Sequence, residues 1–239
     1  MTEYSKEDPS SIQAMFGSIA KRYDKANAIL SLQMHKHWNA KLVKAVSQGE
    51  ITSFLDLCCG TGDIAFELLK QQHHPRRAFL LDFCPEMLAC AKEKAKLFRL
   101  DHHFVTYIQG DAQAVPLDDA SVSCITIAYG IRNVNQPRQC IKEAFRLLQP
   151  GGVFGILELT QPKNSFLRMG HQIYLKAVLP LLGRWLTSNE QAYQYLCNSI
   201  HSFIPPDELE NLMKHEGFTS THRHSLCGGI ATIITGRKP

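Results

Sequence analysis

The apolar run Ser53-Phe-Leu-Asp-Leu-Cys58 stops at Cys59-Gly60-Thr61-Gly62-Asp63, and a helical pattern follows at once through Gln71. A short apolar strand, a glycine turn and a helix in immediate succession define one strand–helix unit of a parallel sheet, and few other folds accept that order. Glycine lets the turn take positive φ and lets the backbone approach a ligand closely. The helix beyond it starts with unpaired N–H groups.

The same rhythm repeats. Arg77–Asp82 predicts a second strand and Pro85–Phe98 a second helix, with proline in its first turn. Phe104–Gln109 and Ser123–Ala128 read as strands, and Pro137–Leu148 as a helix closed by Pro150-Gly151-Gly152. Val153–Glu158 is the fifth strand. A helix from Asp207 through Glu216 and strands over Thr219–Leu226 and Ile230–Gly236 complete a seven-stranded, mostly parallel sheet. The chain therefore reads as one α/β domain with its core over about 51–160 and 205–239. Residues 1–50 read as helical, with Ile12, Met15, Phe16 and Ile19 at helical spacing and a second stretch over Trp38–Val46. With the helical, aromatic-rich insertion at about 163–204 they are left to form a lid.

Composition narrows the function classes. With 239 residues, 44% of them hydrophobic, the chain can bury a full core. A net charge of +4, spread along the chain, lacks the basic stripe of a nucleic-acid binder. The polar start, Met1–Pro9, is no secretory signal, and no window holds the roughly 18 apolar residues of a spanning helix. The expectation is a cytoplasmic protein, soluble or attached peripherally to the inner face of a membrane. The eight cysteines lack disulfide or C-x-x-C spacing, which suits a reducing compartment. The His35/His37, His73/His74, His102/His103 and His222/His224 pairs lack partners at zinc-site spacing, so no metal is expected. Oligomeric state stays open, a homodimer included.

Ligands of an open parallel sheet bind beyond the carboxyl ends of its strands. Asp56, Gly60, Thr61, Gly62 and Asp63 sit at the first such end. A dinucleotide site wants G-x-G-x-x-G, but Cys58 stands at the first glycine position and Phe66 near the third. Asp63 would repel a pyrophosphate and suits a ligand bearing a sulfonium or amino group. That favours S-adenosyl-L-methionine over a nicotinamide cofactor. Asp82 ends the second strand, where a carboxylate accepts hydrogen bonds from ribose hydroxyls. Asp111 and Ala112 follow the third strand, placed for an adenine amino group, and Met87 for the adenine face; Tyr129 follows the fourth. The plainer roles are helix caps for Asp82 and Asp111 and a core position for Met87.

Tyr23-Asp24-Lys25-Ala26-Asn27-Ala28-Ile29-Leu30-Ser31, continuing to His35 and Trp38, closely resembles the Y-D-x-M-N-x-x-L-S-x-x-x-H-x-x-W signature of the UbiE/MenG C-methyltransferases. Gly130-Ile131-Arg132-Asn133-Val134 resembles their G-[IL]-R-N-V segment. Arg146-Leu147-Leu148 with Pro150–Thr160 resembles their second signature. The likeness runs from about Met15 to Gly236, with Ala26 in place of methionine and Gln149 in place of lysine.

The resemblance implies a class I S-adenosylmethionine-dependent methyltransferase fold, Rossmann-like with a helical lid. It also implies methylation of a ring carbon in a polyprenylated quinol, a menaquinone or ubiquinone precursor. Another small phenolic or sterol-like acceptor, or a catalytically silent scaffold that only binds the cofactor, is the alternative. Losing a phenolic proton makes the quinol ring carbon nucleophilic, so the site must align reactants, exclude water and assist deprotonation. Arg132 is the first candidate for stabilising the phenolate, and Asn133 for orienting the same oxygen. Arginine stays protonated, so a water, Tyr23, His35 or Asp24 takes the proton. Arg132 has an alternative role in pairing with Asp24 or Glu158, His35 as a packed or capping residue, and Glu158 as lid support. The apolar stretch Ile173–Leu186, with Lys176, Arg184 and Trp185, is either a groove for the prenyl tail at a membrane surface or lid core.

Overall fold

A computed structural model describes residues 4–71, 77–98, 104–178 and 190–239. The first elements are α1 (Pro9–Ile19), a 3₁₀ turn (Ala20–Arg22), α2 (Tyr23–Leu30) and α3 (Met34–Val46). The alternating core follows as β1 (Ser53–Leu57), α4 (Asp63–Gln71), β2 (Arg77–Asp82), α5 (Pro85–Leu97), β3 (Val105–Gln109) and β4 (Val122–Ala128). A 3₁₀ turn (Ile131–Asn133), α6 (Pro137–Leu147) and β5 (Leu148–Leu159) come next. Then come α7 (Ser165–Ile173), a π-helical turn (Tyr174–Val178), α8 (Glu190–Ser202), α9 (Pro206–His215), β6 (Thr219–Leu226) and β7 (Ala231–Arg237).

All seven strands join one sheet in the order β3-β2-β1-β4-β5-β7-β6. Pairing is parallel from β3 to β5, and β7 runs antiparallel to both neighbours. The order reverses between β1 and β4, the switch point at which such sheets hold ligands. The expected α/β fold, seven-stranded and mostly parallel, is thus the fold observed.

Strand alternation feeds two cores. Phe54, Leu80, Cys124 and Leu157 pack with α3, α4 and α5 on one face, while Leu55, Leu57, Leu81, Ile125, Phe154 and Ile156 pack with α6 and α9 on the other. Each such fully buried side chain contributes roughly 1.5–3 kcal/mol, so β1 is fixed from both sides. Gly155 brings α3 onto the sheet, since a Cβ there would stand 2.4 Å from Val46 Cγ1. That contact anchors the helix carrying His35 and Trp38.

Pro150-Gly151-Gly152 departs from the expected helix-closing turn and lies inside β5, which begins at Leu148. The backbone of Lys238 explains this: its carbonyl accepts from Gly151 N–H at 2.9 Å and its N–H donates to the Gly152 carbonyl at 3.0 Å. Lys238 therefore lengthens the β5–β7 ladder beyond Arg237, while on its other edge β5 pairs with β4 across a register shift between Val122 and Cys124. Of the Ile173–Leu186 stretch, the part from residue 179 on, with Arg184 and Trp185, lies outside the described residues.

Candidate active site

Two cavities open beyond the carboxyl ends of β1, β2 and β4. The smaller is lined by Asp82, Met87, Asp111, Ala112, Asn133 and Val134, and covered by Lys6, Pro9, Ile12 and Phe16 from the N-terminal segment. The larger, about 520 Å³, is lined by His35, Trp38, Asn39, Asp56, Thr61, Asp63 and Arg132, with apolar walls from α2, α7, the π-helical turn and α8. Tyr23, Cys58, Gly60, Ala128 and Tyr129 line both. The volume lies within the usual 300–1,000 Å³ of a ligand pocket.

Backbone strain marks the shared wall. Cys58 and Tyr129 follow β1 and β4 with φ of 52° and 56°. Non-glycine residues held there cost about 1–3 kcal/mol each and cluster at functional sites. The loop after β1 is pinned by Asp82, whose Oδ2 accepts from Gly60 N–H at 2.7 Å and whose Oδ1 accepts from Cys84 N–H at 2.8 Å. Burial pushes the Asp82 carboxyl above its ordinary range, against the pull of these N–H groups. Gly62, at φ 85°, lines neither cavity; a Cβ there would meet the Phe66 ring at 2.6 Å. Its part is to let the helix start close behind the turn.

Asp63 faces a cation of the protein itself. Lys94 Nζ lies 2.5 Å from Asp63 Oδ1, 2.5 Å from Asp24 Oδ2 and 3.0 Å from Thr61 Oγ1. Thr61 Oγ1 donates to Asp24 Oδ1 at 2.5 Å. Against the cost of burial, Asp63 and Asp24 hold the Lys94 ammonium above its ordinary range. Asp24 lines neither cavity and instead ties α2 to the glycine turn. Sequence reading missed Lys94. Its signal was a cation on the apolar stripe of α5, in line with the buried Met87, Ala91 and Ala95.

Arg132 pairs with Glu158 rather than Asp24: Nη1 donates to Glu158 Oε1 and to the Tyr129 carbonyl, each at 2.6 Å. Both side chains of the pair are buried, at 6% and 1% exposed. Glu158 also accepts from Leu159 N–H at 2.7 Å. Asn133 Nδ2 donates to the Tyr129 carbonyl at 3.4 Å, and its Oδ1 accepts from Tyr195 of α8 at 3.0 Å. The Tyr129 hydroxyl donates to Asn39 of α3 at 3.0 Å. Asn39 and Tyr195 join the strand end to both lid segments; Asn39 did not stand out in the sequence, and Tyr195 did so only as one of the aromatics of the insertion.

Among the described residues, three that line the larger cavity carry a buried polar atom without a partner: Trp38 Nε1, Arg132 Nε and Asp56 Oδ2. Buried unpaired groups are rare and ask for a ligand or water. Asp111 is exposed and accepts from Gln113 N–H at 2.9 Å, an Asx turn at the cavity edge. Met87 is 2% exposed and packs with Ala20 and Cys84. Burial raises the Tyr23 hydroxyl above its ordinary pKa and lowers that of His35.

Asp56 supplies a pH prediction. Burial pushes its carboxyl up to about 7, although Thr126 Oγ1 donates to Oδ1 at 2.7 Å. The folded protein then keeps a proton that the unfolded chain releases from about pH 4 upward, so stability falls as pH rises to about 7 and levels off above. Asp56→Asn, which cannot ionise, will gain in Tm relative to the parent as the pH is raised through that window. A Tm difference that does not vary with pH in thermal melts would refute the assignment.

The profile of the ubiE/COQ5 methyltransferase family matches residues 2–238. The chain belongs to the ubiE/COQ5 methyltransferase family. A relative from Protochlamydia amoebophila, named demethylmenaquinone methyltransferase, is 57% identical over 100% of this chain and 99% of its own. One from Bartonella quintana, named ubiquinone/menaquinone biosynthesis C-methyltransferase UbiE, is 35% identical over 96% of this chain and 88% of its own. A Thermotoga maritima structure described as an S-adenosylmethionine-dependent methyltransferase, possibly acting on histamine, has TM-score 0.66 at 18% identity, covering 95% and 99% of the two chains. That last likeness concerns the fold. As a family member, the chain is an S-adenosylmethionine-dependent methyltransferase.

The residues fit that cofactor. The smaller cavity offers a buried carboxylate at Asp82 and apolar surfaces at Ile12, Phe16 and Met87 for a nucleoside. Gly60 joins it to Asp56, whose unpartnered Oδ2 can accept from a methionyl amino group and whose ionisation a bound ammonium would favour, whereas Asp63 is already paired with Lys94.

Proposed function

We propose that this methyltransferase methylates a ring carbon of a reduced polyprenyl quinone, most simply demethylmenaquinol. The observation that carries the reading is the larger cavity: apolar walls, two unpartnered buried donors on Arg132 and Trp38, and a wall shared with the nucleoside cavity. Apolar walls suit a ring and a hydrocarbon tail, while the donors suit the ring oxygens. The relative named demethylmenaquinone methyltransferase supports the same acceptor.

Bound S-adenosylmethionine supplies an electrophilic methyl group on a sulfonium. Asp82 would hold the ribose and Asp56 the amino group, while Tyr23 and Tyr129, lining both cavities, confine donor and acceptor against each other. Arg132 is fixed by Glu158 and the Tyr129 carbonyl, so its charge is already in place where a phenolate develops. Preorganised charge in a dry site is worth more than the same charge in water.

The mouth of the larger cavity suits entry of a bilayer-borne substrate. Leu32 and Phe166 line it at 78% and 77% exposed, and Met169 and Ile173 extend the same apolar helix face of α7. No helix among the described residues is long and apolar enough to cross a membrane. This face rests on the membrane surface, and Lys163 and Lys176 flank it.

The test is methyl transfer from S-adenosylmethionine to a short-chain demethylmenaquinol, with vesicle sedimentation in parallel. The expected result is a methylated quinol and vesicle binding that Phe166→Glu abolishes. Cofactor binding without turnover of any reduced quinone would overturn the acceptor assignment.

A further inference from the structure

Ser31 follows the last turn of α2, and His35 lies in the first turn of α3. Ser31 Oγ stands 2.6 Å from the Asn27 carbonyl oxygen and 2.6 Å from His35 Nδ1. A hydroxyl has one proton to give, and a carbonyl has none. Two oxygens that close need a proton between them, so the Ser31 hydroxyl donates to Asn27. The second contact must then take its proton from the imidazole, and Nδ1–H donates to Ser31 Oγ. The His35 backbone N–H approaches the same oxygen at 3.4 Å, again as a donor. A neutral imidazole protonated at Nδ1 carries its lone pair on Nε2.

The ring is 7% exposed and lines the larger cavity with Arg132, Trp38 and Tyr129. The charged groups around it are Lys36 on its own helix, Asp24 on α2, Asp63 on α4 and Lys94 on α5. Lys94 neutralises both carboxylates. Burial therefore prevails and keeps the imidazole neutral at physiological pH. The other candidate bases are worse placed, because Asp24 is bound to Lys94 and Thr61, and Tyr23 is held protonated by burial.

We infer that His35 Nε2 removes the hydroxyl proton of the acceptor, and that Ser31 with the Asn27 carbonyl fixes the imidazole in the tautomer that permits it. The inference rests on the quinol reading. In the step, the acceptor O–H bond breaks, its electron pair stays on oxygen as a phenolate, and the Nε2 lone pair forms the new N–H bond. After methylation the hydrogen displaced from the ring carbon restores the hydroxyl. One proton per methyl group thus reaches solvent, through the His35 imidazolium. His35 is the catalytic residue and Ser31 a positioning residue.

Nitrogen NMR of the imidazoles in the free protein, with His35 assigned by its loss in His35→Asn, reads the tautomer directly. The expected form is Nδ1–H in the parent and a mixture in Ser31→Ala. Kinetics on demethylmenaquinol should show kcat/KM falling on the acid side with a pKa below about 6.5. His35→Asn should lose about 10²-fold or more in kcat, together with that acid limb, while still binding cofactor. Ser31→Ala should lower kcat severalfold with little change in KM, and Ser31→Thr should restore it. An Nε2–H tautomer in the parent would overturn the Ser31 device. Quinol turnover in His35→Asn with the acid limb intact would overturn the base. A protein with the Nδ1–H tautomer that methylates no reduced quinone would overturn the acceptor reading and the base with it, leaving the tautomer assignment standing.

Discussion

Arg132→Met will lower stability by about 3–5 kcal/mol, because it strands the Glu158 carboxylate in the interior without its cation. For a domain of this size that is a fall in Tm of roughly 6–20 °C. The loss comes from an uncompensated charge, not from the worth of the pair, so Arg132→Met combined with Glu158→Gln should recover most of it. Thermal melts of the two single variants and the double variant decide the matter. Independent, additive losses would refute the pairing as the cause. Well below its Tm, the single variant should bind cofactor nearly as the parent does but turn over about 10²-fold or more slowly, as for loss of an oxyanion donor. Arg132→Lys keeps a cation that can meet Glu158 and the Tyr129 carbonyl, as Nη1 does, but removes the unpartnered Nε donor, so it should rescue stability better than turnover.

Asp82→Ala should weaken cofactor binding by about 10²-fold or more. Hydrogen bonds to a charged group are worth about 1.5–3 kcal/mol each, and two ribose hydroxyls are at stake. The carboxylate also holds Gly60 and Cys84 through their N–H groups, so its removal loosens the turn that carries the ligand. Asp82→Asn separates the two effects: one oxygen remains for Gly60 or Cys84, so the turn is partly kept while affinity still falls. Calorimetric titration with S-adenosylhomocysteine gives the numbers. Equal affinity in parent and Asp82→Ala would sink the assignment of the smaller cavity to the nucleoside.

Much of this was legible in the chain because it depends on local pattern. Strand ends at Leu57, Asp82 and Gln109 follow from apolar runs meeting turn residues, and their order places Asp82 and Asp111 beside one cavity. What escaped depends on contacts between residues far apart in sequence. The charge of Asp63 argued for a cationic ligand, yet Lys94, 31 residues on, meets that carboxylate. Nothing near Pro150 announces that Lys238 will extend the fifth strand past it. Of the two partners weighed for Arg132, Glu158 lies 26 residues away on the neighbouring strand, which only the sheet order reveals. The role of His35 stayed open for a different reason: it turns on where one hydroxyl proton goes, and spacing alone does not encode that.

The two cavities have separate covers. Lys6, Pro9, Ile12 and Phe16 close the nucleoside side, while the acceptor side opens between Leu32 and α7. On the proposed reading, spent nucleoside would depart and fresh donor arrive past the N-terminal segment while the acceptor stays bound in the larger cavity. On the proposed assignment of the two cavities, the expected kinetics are random-order, with donor exchange independent of the bound acceptor. Product inhibition by S-adenosylhomocysteine would then compete with the donor and leave acceptor residence untouched.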